Sequence, residues 1–84
     1  MTRTEILAAI ALERSRQGRR WGGGHAWGEG DCSSALVAPI VKAAVLSEEC
    51  GEVVRAVLDR EPDTGLRYEL VQVAAVCFAW LESL

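Results

Sequence analysis

Two long segments of this 84-residue chain are apolar on almost every side, and they limit the folds that the chain can adopt. Between Leu36 and Leu58, apolar residues occupy nearly all angular positions of a helix, and between Leu70 and Leu81 the only polar residue is Gln72. A helix that is apolar all round is buried on all sides. A chain of this length forms one small domain that spans residues 1–84, and it cannot surround two such helices by itself. We therefore expect a homo-oligomer, a homodimer or homotetramer, in which these helices form a shared core like a four-helix bundle.

Helix signals divide the chain into three segments. The predicted helices run from about Thr4 to Gln17, from about Ser34 to Asp59, and from about Thr64 to Leu84. The glycine-rich stretch RRWGGGHAWGEGD separates the first two helices and predicts a loop, and EPDTG breaks the chain before the third. The strand signal is weak because the β-branched residues fall in runs of helical length. The sequence predicts an all-α fold of three helices.

Composition and charge exclude several classes of partner. The chain carries 9 basic and 12 acidic residues, so its net charge of −3 argues against a nucleic-acid backbone as the main partner. No uncharged stretch reaches the roughly 18 residues that a bilayer crossing needs, so we expect no membrane association. The three cysteines show no metal-binding spacing, which predicts a reduced, cytoplasmic setting.

Four glutamates interrupt the apolar helices. The second helix contains LSEECGEVV, in which Glu48, Glu49 and Glu52 fall within an arc of about 100° that also holds apolar residues. In the third helix Glu69 precedes Gln72 by one turn, again along an apolar stripe. Burying ionised carboxylates costs several kcal/mol each unless they are paired or bind a metal. Clustered carboxylate oxygens suit a hard divalent cation, so the pattern predicts a Mg²⁺ site, with Mn²⁺ as an alternative. Ion pairs of these glutamates with neighbouring arginines, such as Arg55, are the structural alternative.

The two motifs together resemble those of the MazG-like nucleoside triphosphate pyrophosphohydrolases, a family of small all-α proteins. The family pattern is E-E-x-x-E followed by E-x-x-D on the next helix, and here it reads EECGE and ELVQ. The flanking segments ERSRQGRRWG, VLSEECGEVVRAVL and LRYELVQVAAVCFAWLE are also similar to short members of the group, so the resemblance covers most of the chain. Gln72 stands where the family usually has Asp, which removes one negative charge from the site.

The resemblance implies hydrolysis of a nucleoside triphosphate to a monophosphate and pyrophosphate, as in the house-cleaning of nucleotides. It implies that Glu49, Glu52 and Glu69 are metal ligands, with Gln72 as a fourth, and that Glu48 is a further ligand or orients the attacking water. Bound Mg²⁺ would polarise the phosphorus centre and lower the pKa of the attacking water. Lys42, or an arginine from the cluster at Arg14, Arg16, Arg19 and Arg20, would hold phosphate oxygens.

The loop supplies candidate nucleotide contacts. An indole can stack on a nucleobase and a glutamine amide can read its edge, so Trp21 and Gln17 are candidate substrate-binding residues together with Arg20. The structural alternative is that Trp21 covers the oligomer core. The glycine run lacks a following GK[ST], so it is not a phosphate-binding P-loop, and we interpret it as a lid.

Two other functions fit the sequence. One is a non-catalytic helical oligomer or nucleotide-binding module with a degenerate metal site. The other is an interaction protein that docks a partner helix on the apolar segment 70–81. The second accounts for the apolar residues but leaves the four glutamates unexplained.

Overall fold

Three helices and one very short hairpin make up the fold. The structure is a computed structural model that describes all 84 residues. The elements in chain order are α1 (Arg3–Trp21), β1 (Gly24–His25), β2 (Gly28–Glu29), α2 (Pro39–Leu58) and α3 (Asp63–Glu82). The predicted three-helix, all-α fold is confirmed, with the two-residue strands as a small addition inside the glycine-rich segment.

Helix α1 begins at Arg3, one residue before the predicted start, and ends later than predicted. The Thr2 hydroxyl accepts a hydrogen bond from the Glu5 backbone N–H, and the Glu5 carboxylate accepts one from the Thr2 N–H. This reciprocal capping box satisfies two donors that would otherwise be free at the helix start. The helix continues past Gln17 and Gly18 to Trp21, so Trp21 closes the helix and does not belong to the loop.

Helix α2 begins at Pro39, five residues later than predicted. Side chains at the predicted start are used elsewhere: the Ser34 hydroxyl donates to the backbone carbonyl of Glu29 and accepts from the Leu36 N–H. Ala38 is the N-cap and has an extended backbone, as is typical of the residue before a proline. The prediction of helix from Ser34 is therefore wrong, because these side chains fold the loop.

The loop between α1 and α2 is ordered around one glycine. Gly28 has a φ of +139°, a conformation that L-residues rarely adopt, and it pairs with Val37 in an isolated bridge. A Cβ at Gly28 would clash with the backbone carbonyl of Leu36. Arg14 then ties the loop to the helices, since its guanidinium bonds Asp31 at 2.8 Å and Glu82 at 3.0 Å.

Helix α3 lies between the other two and packs against both. Lys42 near the start of α2 contacts Ser83 just after the end of α3, so these helices are antiparallel. Arg14 in the second half of α1 bonds Glu82 at the end of α3, so α1 runs in the same direction as α3. The second half of α1 therefore lies level with the end of α3 and the start of α2.

The buried core of a single chain is small. Its apolar members are Val37, Ala56, Ala75, Val76 and Ala79. No apolar side chain larger than valine is fully buried, and the long apolar segments of α2 and α3 remain exposed on the sides that face away from each other. No helix combines the length and the apolar character that a bilayer crossing requires.

Candidate functional site

The glutamates of α2 occupy different depths. Lys42, Glu49 and Ala56 are spaced by seven residues and form the line of α2 that faces α3, with Lys42 and Ala56 buried and Glu49 half-buried. Glu52 lies one turn after Glu49 and is half-buried. Glu48 is exposed, so the prediction that all of these carboxylates face the interior is wrong for Glu48. Its position about 100° away from Glu49 turns it to the flank of the helix.

Glu49 on α2 and Glu69 on α3 both lie in the field of other carboxylates. Burial raises the pKa of Glu49, and nearby carboxylates raise it further, in the order Glu69, Glu48, Glu52 and Glu13. The pKa of Glu69 is also raised, first by burial and then by the charges of Glu52 and Glu61. The two helices thus concentrate negative charge that neighbouring arginines neutralise only in part.

Helix α1 contributes one acid and one base to this cluster. Glu13 is buried, and it accepts hydrogen bonds from the Arg16 guanidinium, one of them at 2.8 Å. The pKa of Arg16 is raised, chiefly by the hydrogen bond to Glu13 and, to a smaller degree, by the charges of Glu13 and Glu49. Arg16 is therefore a guanidinium that α1 adds to the acidic face, and its side chain is still 40% exposed.

The donor chemistry of the cluster fits a hard cation, but the side chains are not closed around one. No group of three or more His, Cys, Asp or Glu side chains is already close enough to hold a metal ion. Glu52 instead points toward Arg55, with 3.9 Å between Oε2 and Nε. This is the ion pair that the structural alternative predicts. Carboxylates are nevertheless the oxygen donors that Mg²⁺ prefers.

Gln72 lies on the buried side of α3, one turn after Glu69. It is only 8% exposed. No fully enclosed side-chain polar atom in the chain lacks a hydrogen-bond partner, and the Gln72 amide, which bonds no other residue, keeps some contact with solvent. A carboxylate at this depth would add a further negative charge beside Glu69, and the neutral amide avoids that cost.

Lys42 lies away from the glutamates. It is 3% exposed, and its Nζ donates to the Ser83 hydroxyl at 2.8 Å. Seven residues separate it from Glu49 on α2, which is about 10 Å along the helix axis. Lys42 therefore does not compensate the acidic cluster in this structure, and its predicted contact with phosphate would require it to leave Ser83.

The predicted nucleotide contacts lie at the loop end of the molecule. The Trp21 ring meets His25 edge-on with 5.6 Å between ring centroids, and the Arg20 guanidinium lies 5.3 Å from the Trp21 centroid. Trp27 follows at 6.0 Å from His25. Gln17 lies on the neighbouring turn of α1, where its Oε1 is 3.5 Å from Nη1 of Arg14. The structure thus gathers Arg20 and Trp21 with the loop aromatics, and it separates them from the glutamates.

Arg14 holds this end in place. Burial by itself would lower the pKa of Arg14, but hydrogen bonds to Asp31 and Glu82 outweigh it and the pKa is raised. Burial would likewise raise the pKa of Asp31, but hydrogen bonds from Ser33 and Arg14 lower it. Both members of the pair therefore stay charged at neutral pH.

Sequence reasoning missed Glu13 as a member of the acidic cluster, and it named Arg16 only as one of four arginines that could hold phosphate oxygens. The signal was present, since Ile6, Ile10 and Glu13 follow helical spacing and Arg16 follows Glu13 at i+3. A glutamate that continues an apolar stripe is the same pattern that identified Glu49. Only the packing of α1 on α3 could show that this stripe meets the same cluster.

No protein-family model, curated protein or solved structure matches this chain.

Proposed function

We propose that this protein is a Mg²⁺-dependent nucleoside triphosphate pyrophosphohydrolase of the MazG-like type, acting as a homo-oligomer in the cytoplasm. The observation that carries the proposal is a pair of carboxyl groups with raised pKa values, Glu49 on α2 and Glu69 on α3, whose charged forms are costly because of burial and of neighbouring carboxylates. A divalent cation would remove this cost, and a nucleoside triphosphate is the anionic partner that such a cation brings. The three cysteines are free, as expected in a reducing compartment.

In this proposal the carboxylates of Glu49, Glu52 and Glu69 hold the metal, and the Gln72 carbonyl adds a neutral oxygen. The metal, when bound, supplies charge neutralisation of the triphosphate and a lower pKa for the attacking water. Glu48, exposed on the flank of α2, orients that water and accepts its proton. The water oxygen attacks the α-phosphorus, the bond from that phosphorus to the bridging oxygen of the β-phosphate breaks, and pyrophosphate leaves.

Two basic side chains are candidates for the phosphate oxygens. Arg16 is the better placed, because the charge of Glu49 acts on it and its side chain is partly exposed. Lys42 is buried against Ser83 and would contribute only after a local rearrangement. Arg20 and Trp21, with Gln17 nearby, remain the proposed contacts for the nucleobase and sugar.

A non-catalytic helical oligomer or nucleotide-binding module is the second candidate function. The Glu52–Arg55 ion pair and the absence of a closed metal-binding group favour it. In that case the glutamates serve only as helix surface charges, and nucleotides bind without turnover.

Release of pyrophosphate tests the two candidates directly. We expect turnover of at least one nucleoside triphosphate in the presence of Mg²⁺ or Mn²⁺ and none in the presence of a chelator. Glu52→Gln should lower the rate by about 100-fold or more, since a metal ligand is lost. Glu29→Gln, which changes an exposed carboxylate in the hairpin, is the matched control and should keep full activity. If no nucleotide is hydrolysed and Mg²⁺ leaves the melting temperature unchanged, the enzyme proposal is wrong.

A further inference from the structure

The side of α2 that faces away from α3 carries a regular seam. Six residues recur with alternating spacings of four and three, and all six are exposed: Ile40, Ala44, Ser47, Gly51, Val54 and Leu58. This is the a/d spacing of a coiled coil, in which every residue of the seam meets a partner helix. Lys42, Glu49 and Ala56 lie on the opposite side of the helix, so the seam has no partner within the chain.

The seam is complementary to itself when it is reversed. Turned end to end, Ile40 meets Leu58, Ala44 meets Val54, and Ser47 meets Gly51. Two large apolar side chains therefore meet at each end of the contact. A small side chain meets a large one in the next pair, and two small residues meet at the centre. A two-fold axis at the level of Glu49 generates all of these pairs, because in a two-fold contact residue i meets j and j meets i.

The exposed area agrees with one missing partner. The chain has an accessible surface of 5733 Å². A compact monomer of 9.1 kDa is expected to expose about 4900 Å². The excess of about 800 Å² equals what one partner buries in a stable interface of standard size. Within the seam, Ile40 is 77% exposed, Leu58 is 74% exposed and Val54 is 57% exposed.

We infer that α2 packs against α2 of a second copy of this chain, antiparallel, with the two helices closest at Ser47 and Gly51. Small side chains at the centre let the helix axes approach to about 8 Å, the lower end of the usual range. The inference sharpens the self-association in the proposed function by naming its surface, and it depends on none of the chemistry. It also gives Gly51, which lies inside EECGE, a packing role separate from the glutamates beside it.

Gly51→Leu tests the contact without harming the single chain. A side chain at Gly51 meets nothing within 4 Å, and leucine is a far better helix former than glycine. The wild-type protein should sediment at about twice the 9.1 kDa of one chain, and Gly51→Leu should sediment as a monomer with unchanged helical circular dichroism. Gly23→Leu is the matched control, because Gly23 is also exposed and unobstructed, and it should remain a dimer.

Cysteine cross-linking tests the direction of packing. In a Cys50→Ala background, Ile40→Cys and Leu58→Cys proteins are prepared separately, mixed and oxidised. An antiparallel pair joins the two different proteins, whereas a parallel pair joins each protein to itself. The two positions are about 27 Å apart along one helix, so the outcomes do not overlap.

Three results would overturn the inference: a monomeric wild type at high concentration, a Gly51→Leu protein that still dimerises, or cross-links only between identical positions. Measurement of pyrophosphate release on the same samples separates this inference from the proposed function. A dimer without turnover contradicts only the enzyme proposal, and turnover by a monomeric wild type contradicts the interface and the self-association but leaves the proposed chemistry in place.

Discussion

Removal of the Glu49 charge should stabilise the protein in the absence of a divalent cation. Gln has nearly the same size and helix propensity, so Glu49→Gln changes little besides the charge. Four carboxylates act on Glu49 in the same direction as burial. A like-charged pair on a helix costs about 0.2–0.5 kcal/mol, and four neighbours screened by solvent and salt amount to about 1 kcal/mol. In a domain of this size that corresponds to a melting temperature higher by about 4–8 °C.

The pH dependence of this gain follows from the direction of the shift. The pKa of Glu49 is higher in the folded chain than in the unfolded one, so the folded state binds the proton more tightly. The free energy of unfolding of the wild type therefore falls as the pH rises from about 4 through the raised pKa of Glu49. At pH values above that pKa, the loss of stability caused by the Glu49 charge is complete. Glu49→Gln has no such deficit, so the difference between the two proteins should vanish near pH 4 and be full at pH 7.

Thermal unfolding in a chelating buffer measures the difference in stability between Glu49→Gln and the wild type. Titration of both proteins with Mg²⁺ is a second measurement. Bound Mg²⁺ at 100 times its dissociation constant would stabilise the wild type by about 2.7 kcal/mol, and Glu49→Gln should lose most of that gain. Glu29→Gln is the control, and its stability should stay within ~0.5 kcal/mol of the wild type. If Glu49→Gln is no more stable than the wild type at pH 7 without metal, the proposed accumulation of charge between α2 and α3 is wrong.

Two further substitutions test parts of the fold. Lys42 is buried, forms no salt bridge and bonds only Ser83. Lys42→Met should therefore raise the free energy of unfolding, measured in urea, by about 1 kcal/mol. A decrease of about 1 kcal/mol would contradict the interpretation that the buried Lys42 charge destabilises the fold. Gly28→Ala should destabilise the protein by about 1–3 kcal/mol, because φ at Gly28 is +139° and the Leu36 carbonyl blocks the new Cβ. A Cβ at Gly24 meets nothing, so Gly24→Ala is the control and should be nearly neutral. Equal effects of the two substitutions would show that the loop adapts to a side chain at Gly28.

The ends of the helices show what local signals can predict. The Thr2 cap of α1 and the break at Pro62 are visible in the sequence because each depends on the chemistry of one or two adjacent residues. The start of α2 is not visible in the same way. Asp31 and Ser34 have the chemistry of N-caps, but their side chains are held by Arg14 and by the loop backbone, and those partners lie up to 17 residues away.

The candidate site shows the same division. The sequence by itself determined that Glu49, Glu52 and Glu69 interrupt apolar stripes, because helical periodicity is a property of neighbouring residues. Only the tertiary structure decided that Glu13 and Arg16 join them, since α1 reaches the cluster through its packing on α3. The tertiary structure also decided that Lys42 donates a hydrogen bond to Ser83, because α2 and α3 are antiparallel and the start of α2 lies beside the end of α3. Spacing along the chain fixes which side of a helix a residue lies on, and packing fixes what that side meets.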